Sequence, residues 1–214
     1  MKVFALVGSP REGGNTDLLV EEVLAGARAN GAETEKMLVK DLRFEPCQGC
    51  LECRPQGKCR FRDDVGIVVR KMDEADALVL GAPSYINFVP GHFKMLCDRL
   101  VGPTISIRRT GSDLVFESRL TPKKRNGLAL AVCACEKQKF AEATLKFMEG
   151  QLRIHACGGK VDRLAAVGLQ LYGQVTMPAG RLAQIAGCGA EERYAYQQGL
   201  LEKARDLGSQ LVNF

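Results

Sequence analysis

The chain has 214 residues, 46% of them hydrophobic and 26% charged, with a formal net charge of +5 at pH 7, which fits a folded globule and excludes a disordered or collagenous chain. Lys and Arg are scattered apart from the runs Arg108-Arg109 and Lys123-Lys124-Arg125; each run reads as a solvated basic turn, so no nucleic-acid partner is expected. No stretch approaches the roughly 20 apolar residues of a membrane span and Gly8-Ser9-Pro10 cuts the first apolar run short of a signal peptide, so a cytoplasmic protein with no membrane contact is expected, as a single domain over 1–214.

Val3 to Val7 is a continuous apolar run ended by Gly8, as in a strand buried on both faces. From Asn15 to about Asn30, Leu19, Val23 and Ala27 recur at helical spacing, and Asn30-Gly31 supplies the stop. Glu33 to Val39 can form a second strand. The polar, Pro- and Cys-rich stretch 41–64 reads as a long functional loop without a regular element. Asp64 to Ala75 predicts a short helix, and Ala77 to Leu80 a third buried strand ending at Gly81-Ala82-Pro83. Pro90 to Leu100 predicts a helix with Phe93, Leu96, Cys97 and Leu100 on one face.

Ile105-Ser106-Ile107 and Leu114-Val115-Phe116, divided by Thr110-Gly111-Ser112-Asp113, predict a hairpin inserted over 104–125 and suited to an oligomer contact, with folding back over the ligand site as the alternative. Gly127 to Val132 is a fourth buried strand. Lys137 to Leu152 follows as a helix with Phe140, Thr144, Phe147 and Met148 facing inward, and Val161 to Val167 as a fifth strand. A helical extension over 170–214 ends in a helix from about Ala190 to Val212, striped by Leu200, Ala204, Leu207 and Leu211. This alternation predicts an α/β fold, a doubly wound five-stranded parallel sheet with helices on both faces. Ligand loops after the first and third strands fit the flavodoxin-like strand order.

A loop leaving a central strand and opening a helix offers an anion free backbone N–H groups and the positive end of the helix dipole. Within Gly8 to Thr16, Ser9, Asn15 and Thr16 add side-chain donors and Arg11 a charge. The dinucleotide pattern G-x-G-x-x-G is broken by Ser9-Pro10, and Gly14-Asn15-Thr16 lacks the Lys of a Walker loop. A single terminal phosphate, as in FMN, fits best; the plain alternative is a glycine turn capped by Asn15 or Thr16.

Four of nine cysteines fall in one short stretch. Cys47, Cys50 and Cys53 form a C-x2-C-x2-C run whose thiolates can wrap three corners of one [4Fe–4S] cluster, and Pro55-Gln56-Gly57 can return Cys59 to the fourth. Zinc is the chemical rival, although its sites usually split into two knuckles, and free or redox-active thiols remain a further option. A loop after the second strand falls at the carboxyl edge, beside the phosphate loop, where cluster and flavin can exchange electrons within one subunit or across a dimer. Cys97 reads as core, and Cys157 and Cys188 sit in glycine-rich turns. Cys133 and Cys135 lie where they can approach the flavin, with packing the weightier reading. His92 and His155 stand alone and read as structural; no side chain is assigned as catalytic.

Gly8-Ser9-Pro10-Arg11 with Gly14-Asn15-Thr16, Gly81-Ala82-Pro83-Ser84-Tyr85, and Lys94 to Arg99 resemble the NADPH-dependent FMN reductases and the iron–sulfur flavoproteins, over nearly the whole chain to about residue 167. The resemblance implies that Ser9, Arg11, Asn15 and Thr16 hold the FMN phosphate. It also implies that Ala82, Pro83, Ser84, Tyr85, Ile86 and Asn87 pass along the isoalloxazine ring, with N–H groups near its reactive edge. Tyr85 or Phe88 stacks there or packs in the core. The compact Cys47, Cys50, Cys53, Cys59 set is similar to that of the iron–sulfur flavoproteins, in which the cluster lies towards a subunit contact, so a homodimer or tetramer is implied. Relatives often carry a glycine-rich loop after the fourth strand, where this chain has Cys133-Ala134-Cys135-Glu136; Cys133 is placed in that third flavin segment. The expected function is an FMN-dependent oxidoreductase passing electrons between FMN and a [4Fe–4S] cluster, with ferredoxin or NAD(P)H as donor. The alternatives are a cluster-free NAD(P)H-dependent FMN or quinone reductase and a non-enzymatic FMN-binding redox sensor.

Overall fold

The structure is a computed structural model, and it describes residues 1–186 and 189–213, so Cys188 lies outside the described residues. In chain order the elements begin β1 (Lys2–Val7), α1 (Asn15–Ala29), β2 (Glu33–Leu38), α2 (Cys53–Gln56) and α3 (Val65–Glu74). They continue with β3 (Ala77–Pro83), α4 (Gly91–Thr104), the hairpin β4 (Ile105–Thr110) and β5 (Asp113–Ser118), and β6 (Asn126–Val132). The last are α5 (Lys139–Ala156), β7 (Val161–Ala166), α6 (Ala179–Ala186) and α7 (Ala190–Leu211). The main sheet runs β2-β1-β3-β6-β7 with every neighbouring pair parallel, the flavodoxin-like order that the sequence predicts.

Alternation along the central strands explains the two layers of core. Phe4, Leu6, Leu78, Leu80, Ala129 and Ala131 point to one face, where α3, α4 and α5 cover them. Val3, Ala5, Val7, Val79, Leu128 and Leu130 point to the other, against α1 and α7. Because side chains in a strand have a period of two, a sheet buried on both sides reads as an unbroken apolar run. Among the described residues no helix is long and apolar enough to cross a membrane.

Three local expectations are corrected. The cysteine loop is not wholly irregular, since one helical turn, α2, forms at Cys53 and ends at Gly57 with φ 68°. The second strand stops at Leu38, and Val39–Asp41 turns as a short 3₁₀ helix. The basic run at 123–125 is not a uniformly solvated turn: Arg125 is 1% exposed and donates to the carbonyls of Ala75 (3.0 Å), Thr121 (2.9 Å) and Asp73 (3.0 Å). Those carbonyls close the amino-terminal edge of the sheet, and a guanidinium offers enough donors to satisfy all three at once.

The last helix docks by direct backbone contact. A Cβ added to Gly26 on α1 would meet the Arg205 carbonyl oxygen at 1.9 Å, and one added to Gly208 on α7 would meet that of Val23 at 1.8 Å. A clash with backbone cannot be relieved by a rotamer change, so the helices would have to part. Gly208→Ala is expected to destabilise the protein by about 2–3 kcal/mol and to lower the melting temperature by roughly 5–10 °C. Gly199→Ala, on the same helix but in open space, is expected to be neutral or stabilising by up to ~1 kcal/mol. Equal melting temperatures for the two variants would refute the seam.

His155 on α5 is 3% exposed, with Nδ1 2.9 Å from the Ser118 hydroxyl. Burial first, and then the Arg125 charge, lower its pKa to about 4. The folded state therefore holds it neutral, whereas the unfolded chain takes up a proton near pH 6.5. Stability from this group is complete above about pH 6.5, falls as pH drops towards 4 and levels off below, a loss of up to about 3 kcal/mol. Denaturant titrations between pH 7 and 4 should show this component in wild type and not in His155→Gln. Parallel pH profiles would refute it.

Candidate functional site

Two separate cavities carry the chemistry-bearing residues. The first lies where the carboxyl ends of β1 and β3 meet, with the Gly8 N–H donating to the Gly81 carbonyl at 2.7 Å. Its N-cap residue on α1 is Gly14, and no side chain caps the helix. A cavity of about 250 Å³ opens there, and it brings together Ser9, Arg11, Asn15, Thr16, Pro83, Ser84 and Tyr85 from the predicted set. An uncapped first turn presents N–H donors and the positive end of the helix dipole, which is the chemistry a phosphate needs. The loop is braced from behind: the Asp17 carboxylate accepts the Gly13 N–H at 2.8 Å and pairs with Lys36 Nζ at 2.7 Å.

Asn15 does more than the sequence reading assigns to it. Its Nδ2 donates to the Leu171 carbonyl at 2.8 Å and its Oδ1 accepts the Val175 N–H at 2.9 Å. The Tyr172 hydroxyl donates to the Glu12 carbonyl, and Gln174 Oε1 gathers the N–H groups of Gln170 (2.8 Å) and Leu171 (3.0 Å). Residues 169–172 are thereby strapped across the phosphate loop and line the same cavity. Sequence reasoning missed this strap. The available signal was the pair Gly168 and Gly173, at φ 71° and 61°, bracketing a segment at the carboxyl edge of the fifth strand.

The segment after β3 is arranged differently from the expectation. Ala82 is buried within the strand. The Ser84 hydroxyl turns into the core, donating to the Phe140 carbonyl at 2.6 Å, and its N–H donates to Val132 at 2.7 Å. Tyr85 and Phe88 close a tight turn by exchanging backbone hydrogen bonds. Ile86 and Asn87 form its tip at φ 48° and 64°, and Ile86 is 99% exposed. A β-branched residue in this left-handed conformation costs on the order of 1–2 kcal/mol. The N–H groups of Ser84 and Tyr85 are thus committed, which leaves those of Ile86 and Asn87 for a ligand. Phe88 packs on Phe147 with ring centroids 5.1 Å apart. Cys133 also departs from its expected place: its N–H donates to the Ala166 carbonyl at 2.8 Å, its side chain is buried in the core, and its neighbours Val132 and Ala134 line the cavity instead.

The second cavity, of about 150 Å³, is lined by Cys47, Cys50, Cys53 and Cys59 together with Arg99, Gly102, Ile105, Ile107 and Arg119. The cysteine loop leaves the carboxyl edge, stacks Phe44 on His92 at 5.0 Å, and then runs down α4 to its far half. The expected neighbourhood of the two centres is therefore corrected: the cavities share no lining residue. Eleven residues of α4 separate Gly91 from Gly102, a rise of about 16 Å. Gly49 and Leu51 at φ 66° and 64° curl the chain between the cysteines.

Around this cavity Arg99 and Arg119 act as anchors that the spacing of the cysteines does not reveal. Arg99 is 3% exposed, pairs with Asp63 at 2.8 and 3.0 Å, and leaves its Nε buried without a partner. Arg119 donates to the carbonyls of Arg54 and Ile105, tying the loop to the base of the hairpin. Gly102 fits the cradle, because a Cβ there would lie 2.0 Å from Cys53 Sγ. Burial first, and then the neighbouring Cys59, Cys47 and Cys50, push the Cys53 thiol up. Among the described residues, no three His, Cys, Asp or Glu side chains converge closely enough to ligate one ion; the sulfurs are spread around the cavity wall. Cys97 is buried core as expected, its thiol pushed up to about 12 by burial.

The NADPH-dependent FMN reductase family matches residues 1–111. An iron–sulfur flavoprotein of Methanosarcina thermophila is 30% identical over 155 residues, covering 72% of this chain and 74% of that protein. One of Methanocaldococcus jannaschii is 46% identical over 99 residues, which is 46% of this chain and 51% of the relative, so the match spans about half of that protein's length. Among solved structures, the NAD(P)H:quinone oxidoreductase from Methanothermobacter marburgensis superposes with a TM-score of 0.68 at 17% identity, covering 100% of this chain and 98% of the other. An FMN-dependent NADH-azoreductase from Bacillus anthracis gives 0.66 at 12% identity, with 100% of both chains covered. These two likenesses bear on the fold alone.

Asn15→Ala removes both hydrogen bonds of the strap. A stability loss of about 1–2 kcal/mol is expected, with faster amide hydrogen exchange at Leu171 to Val175 and little change at the cysteine loop. Unchanged exchange across the strap would refute its anchoring by Asn15.

Proposed function

The chain belongs to the NADPH-dependent FMN reductase family, as one of its iron–sulfur flavoproteins, and from this premise we propose that it is an FMN-dependent oxidoreductase that passes electrons between FMN and a [4Fe–4S] cluster. The observation that carries the reading is the pairing of an uncapped helix start built for one phosphate with four cysteines that line one separate cavity.

The residues present fit both groups. For FMN, the first turn of α1 with Ser9, Arg11 and Thr16 would hold the phosphate, and Pro83 to Asn87, facing Val132 and Ala134, would lie along the ring. For the cluster, Cys47, Cys50, Cys53 and Cys59 are the ligands. The close C-x2-C-x2-C run with Cys59 beyond it suits a polynuclear cluster better than zinc, whose sites usually split into two separated knuckles. When bound, the flavin supplies two-electron chemistry and the cluster single-electron steps.

The chain's own contribution is binding, orientation and charge. The N–H groups of Ile86 and Asn87, outside the backbone pairing of their turn, would donate to the ring edge. Arg99, fixed by Asp63 and next to Cys59, sets a positive charge beside the sulfurs that would offset the negative charge of a ligated cluster. No side chain is required as a general acid or base. The donor is NAD(P)H or reduced ferredoxin, and the protein works as a single domain in the cytoplasm.

The separation of the cavities along α4 favours electron exchange between copies, in a homodimer or tetramer. Each centre has exposed apolar side chains at its rim: Leu51, Ile107, Leu114 and Phe116 beside the cysteines, and Tyr85, Ile86 and Tyr172 beside the phosphate loop. Apolar patches of this kind mark contact surfaces.

The test is Cys50→Ser purified anaerobically. Iron and acid-labile sulfide are expected to fall by most of their wild-type value while released FMN per chain stays constant. Wild-type iron content in the variant would overturn the ligand assignment, and flavin lost with unchanged iron would overturn the assignment of the two cavities.

A further inference from the structure

Cys133-Ala134-Cys135 belongs to neither the cluster cavity nor, by its sulfurs, the lining of the flavin cavity. From its geometry we infer that Cys133 and Cys135 form a redox-active dithiol that exchanges two electrons with the flavin. This inference rests on reading the cavity of Ser9, Pro83 and Ala134 as the FMN site.

Three features place the pair. Ala134, the residue between the two cysteines, lines that cavity, as does Val132 before them. The backbone is clamped on both sides of Ala134: the Cys133 N–H donates to Ala166 at 2.8 Å, and the Cys133 and Cys135 carbonyls accept the N–H groups of Leu169 (3.2 Å) and Gly168 (3.0 Å). The chain bends at Ala134 and Cys135 as it leaves β6. Residues two apart in a bent chain fall within the Cα separation of about 4.4–6.8 Å that a disulfide spans.

The two sulfurs also differ in access. Cys135 is exposed and Cys133 is buried, and burial pushes the Cys133 thiol up. An accessible thiol beside a buried resolving partner is the arrangement of a thiol–disulfide pair. Closing so small a ring strains the disulfide, and strained disulfides are the more oxidising ones. In the step itself, reduced flavin gives up two electrons and two protons, the Cys133–Cys135 S–S bond breaks, and two S–H bonds form as the flavin returns to its oxidised state. This step stores the flavin's electron pair in the dithiol, and the reverse reaction returns the pair to oxidised flavin as the disulfide closes. From the closed pair, Cys135 is the sulfur that an external thiol can reach, so two molecules of reduced glutathione can open the disulfide, leaving as glutathione disulfide.

The experiment begins with flavin-free protein equilibrated in reduced and oxidised glutathione at graded ratios, then alkylated and digested. The peptide carrying both cysteines is expected to lose its two alkylatable thiols together, in one two-electron transition within the series, with an intramolecular disulfide by mass. Two thiols that stay alkylatable throughout, or a glutathione adduct on Cys135 alone, would overturn the dithiol. In the holoprotein, oxidised first and then titrated anaerobically with dithionite, wild type is expected to take up two more electrons per chain than Cys135→Ser. Equal uptake would overturn exchange with the flavin. Because Cys133 is buried, the exposed Cys135 is the position varied, and its melting temperature should match wild type. Released FMN is measured on the same samples, so failure of the flavin-site reading appears as missing FMN in a chain whose dithiol still titrates.

Discussion

An α-helix starts with N–H groups that none of its own carbonyls can satisfy. In α1 the protein leaves them unsatisfied: Gly14 brings no capping side chain, and Asn15 sends its amide across to Leu171 and Val175. A capping side chain would contribute about 1 kcal/mol, so the arrangement forgoes stability in order to keep donors for an anion. Much of this face follows from that choice. Because β1 is buried on both sides, its register against β2 and β3 fixes where the helix begins. Asp17 then ties back Gly13, and Lys36 offsets the Asp17 charge so that it does not oppose the phosphate.

The same choice couples the cavity to packing on the back of the molecule. Asn15 cannot hold the strap unless the segment after it is itself fixed, and that segment leads through α6 into α7, which lies on α1 with backbones in contact at Gly26 and Gly208. Close glycine contact leaves no slack for α7 to slide. The strap is consequently bounded at one end by the β7 edge and at the other by a rigid helix pair. Tyr172, 58% exposed, is held over the loop by a contact to Glu12 that would be too weak to order it alone.

How far this was legible in the sequence depended on whether each signal is local. The sheet order was readable because apolar runs such as Val3 to Val7, punctuated by Gly8 and Gly81, carry their own evidence of two-sided burial. The cysteine set was readable because C-x2-C-x2-C is a local spacing. Arg125 was misread because nothing in Lys123-Lys124-Arg125 records that the carbonyls of Asp73 and Ala75 await it from another part of the chain. The strap escaped for the same reason: Asn15 and Leu171 are joined by a contact across the fold. The place of the cysteine loop was wrong because topology gives the edge at which a loop leaves the sheet, while its course is decided by Arg99 and Arg119, whose partners are non-local.

Among the described residues, three of the four non-glycine residues with positive φ lie beside the candidate sites, Leu51 in the cysteine loop and Ile86 and Asn87 in the turn beside the flavin cavity, while the fourth, Cys157, ends α5. Hydrophobic residues held in this conformation and also exposed to water are doubly unfavourable in an isolated chain, and such strain persists only where the surroundings over-determine it. At Leu51 the surroundings are a loop wound around four sulfurs, and at Ile86 a two-residue turn whose N–H groups have no partner among the described residues. Each would be relieved by a ligand or by a covering surface, and the two sites lie at opposite ends of α4. A second copy that laid the Leu51 and Phe116 side of one chain against the Ile86 side of another would relieve both.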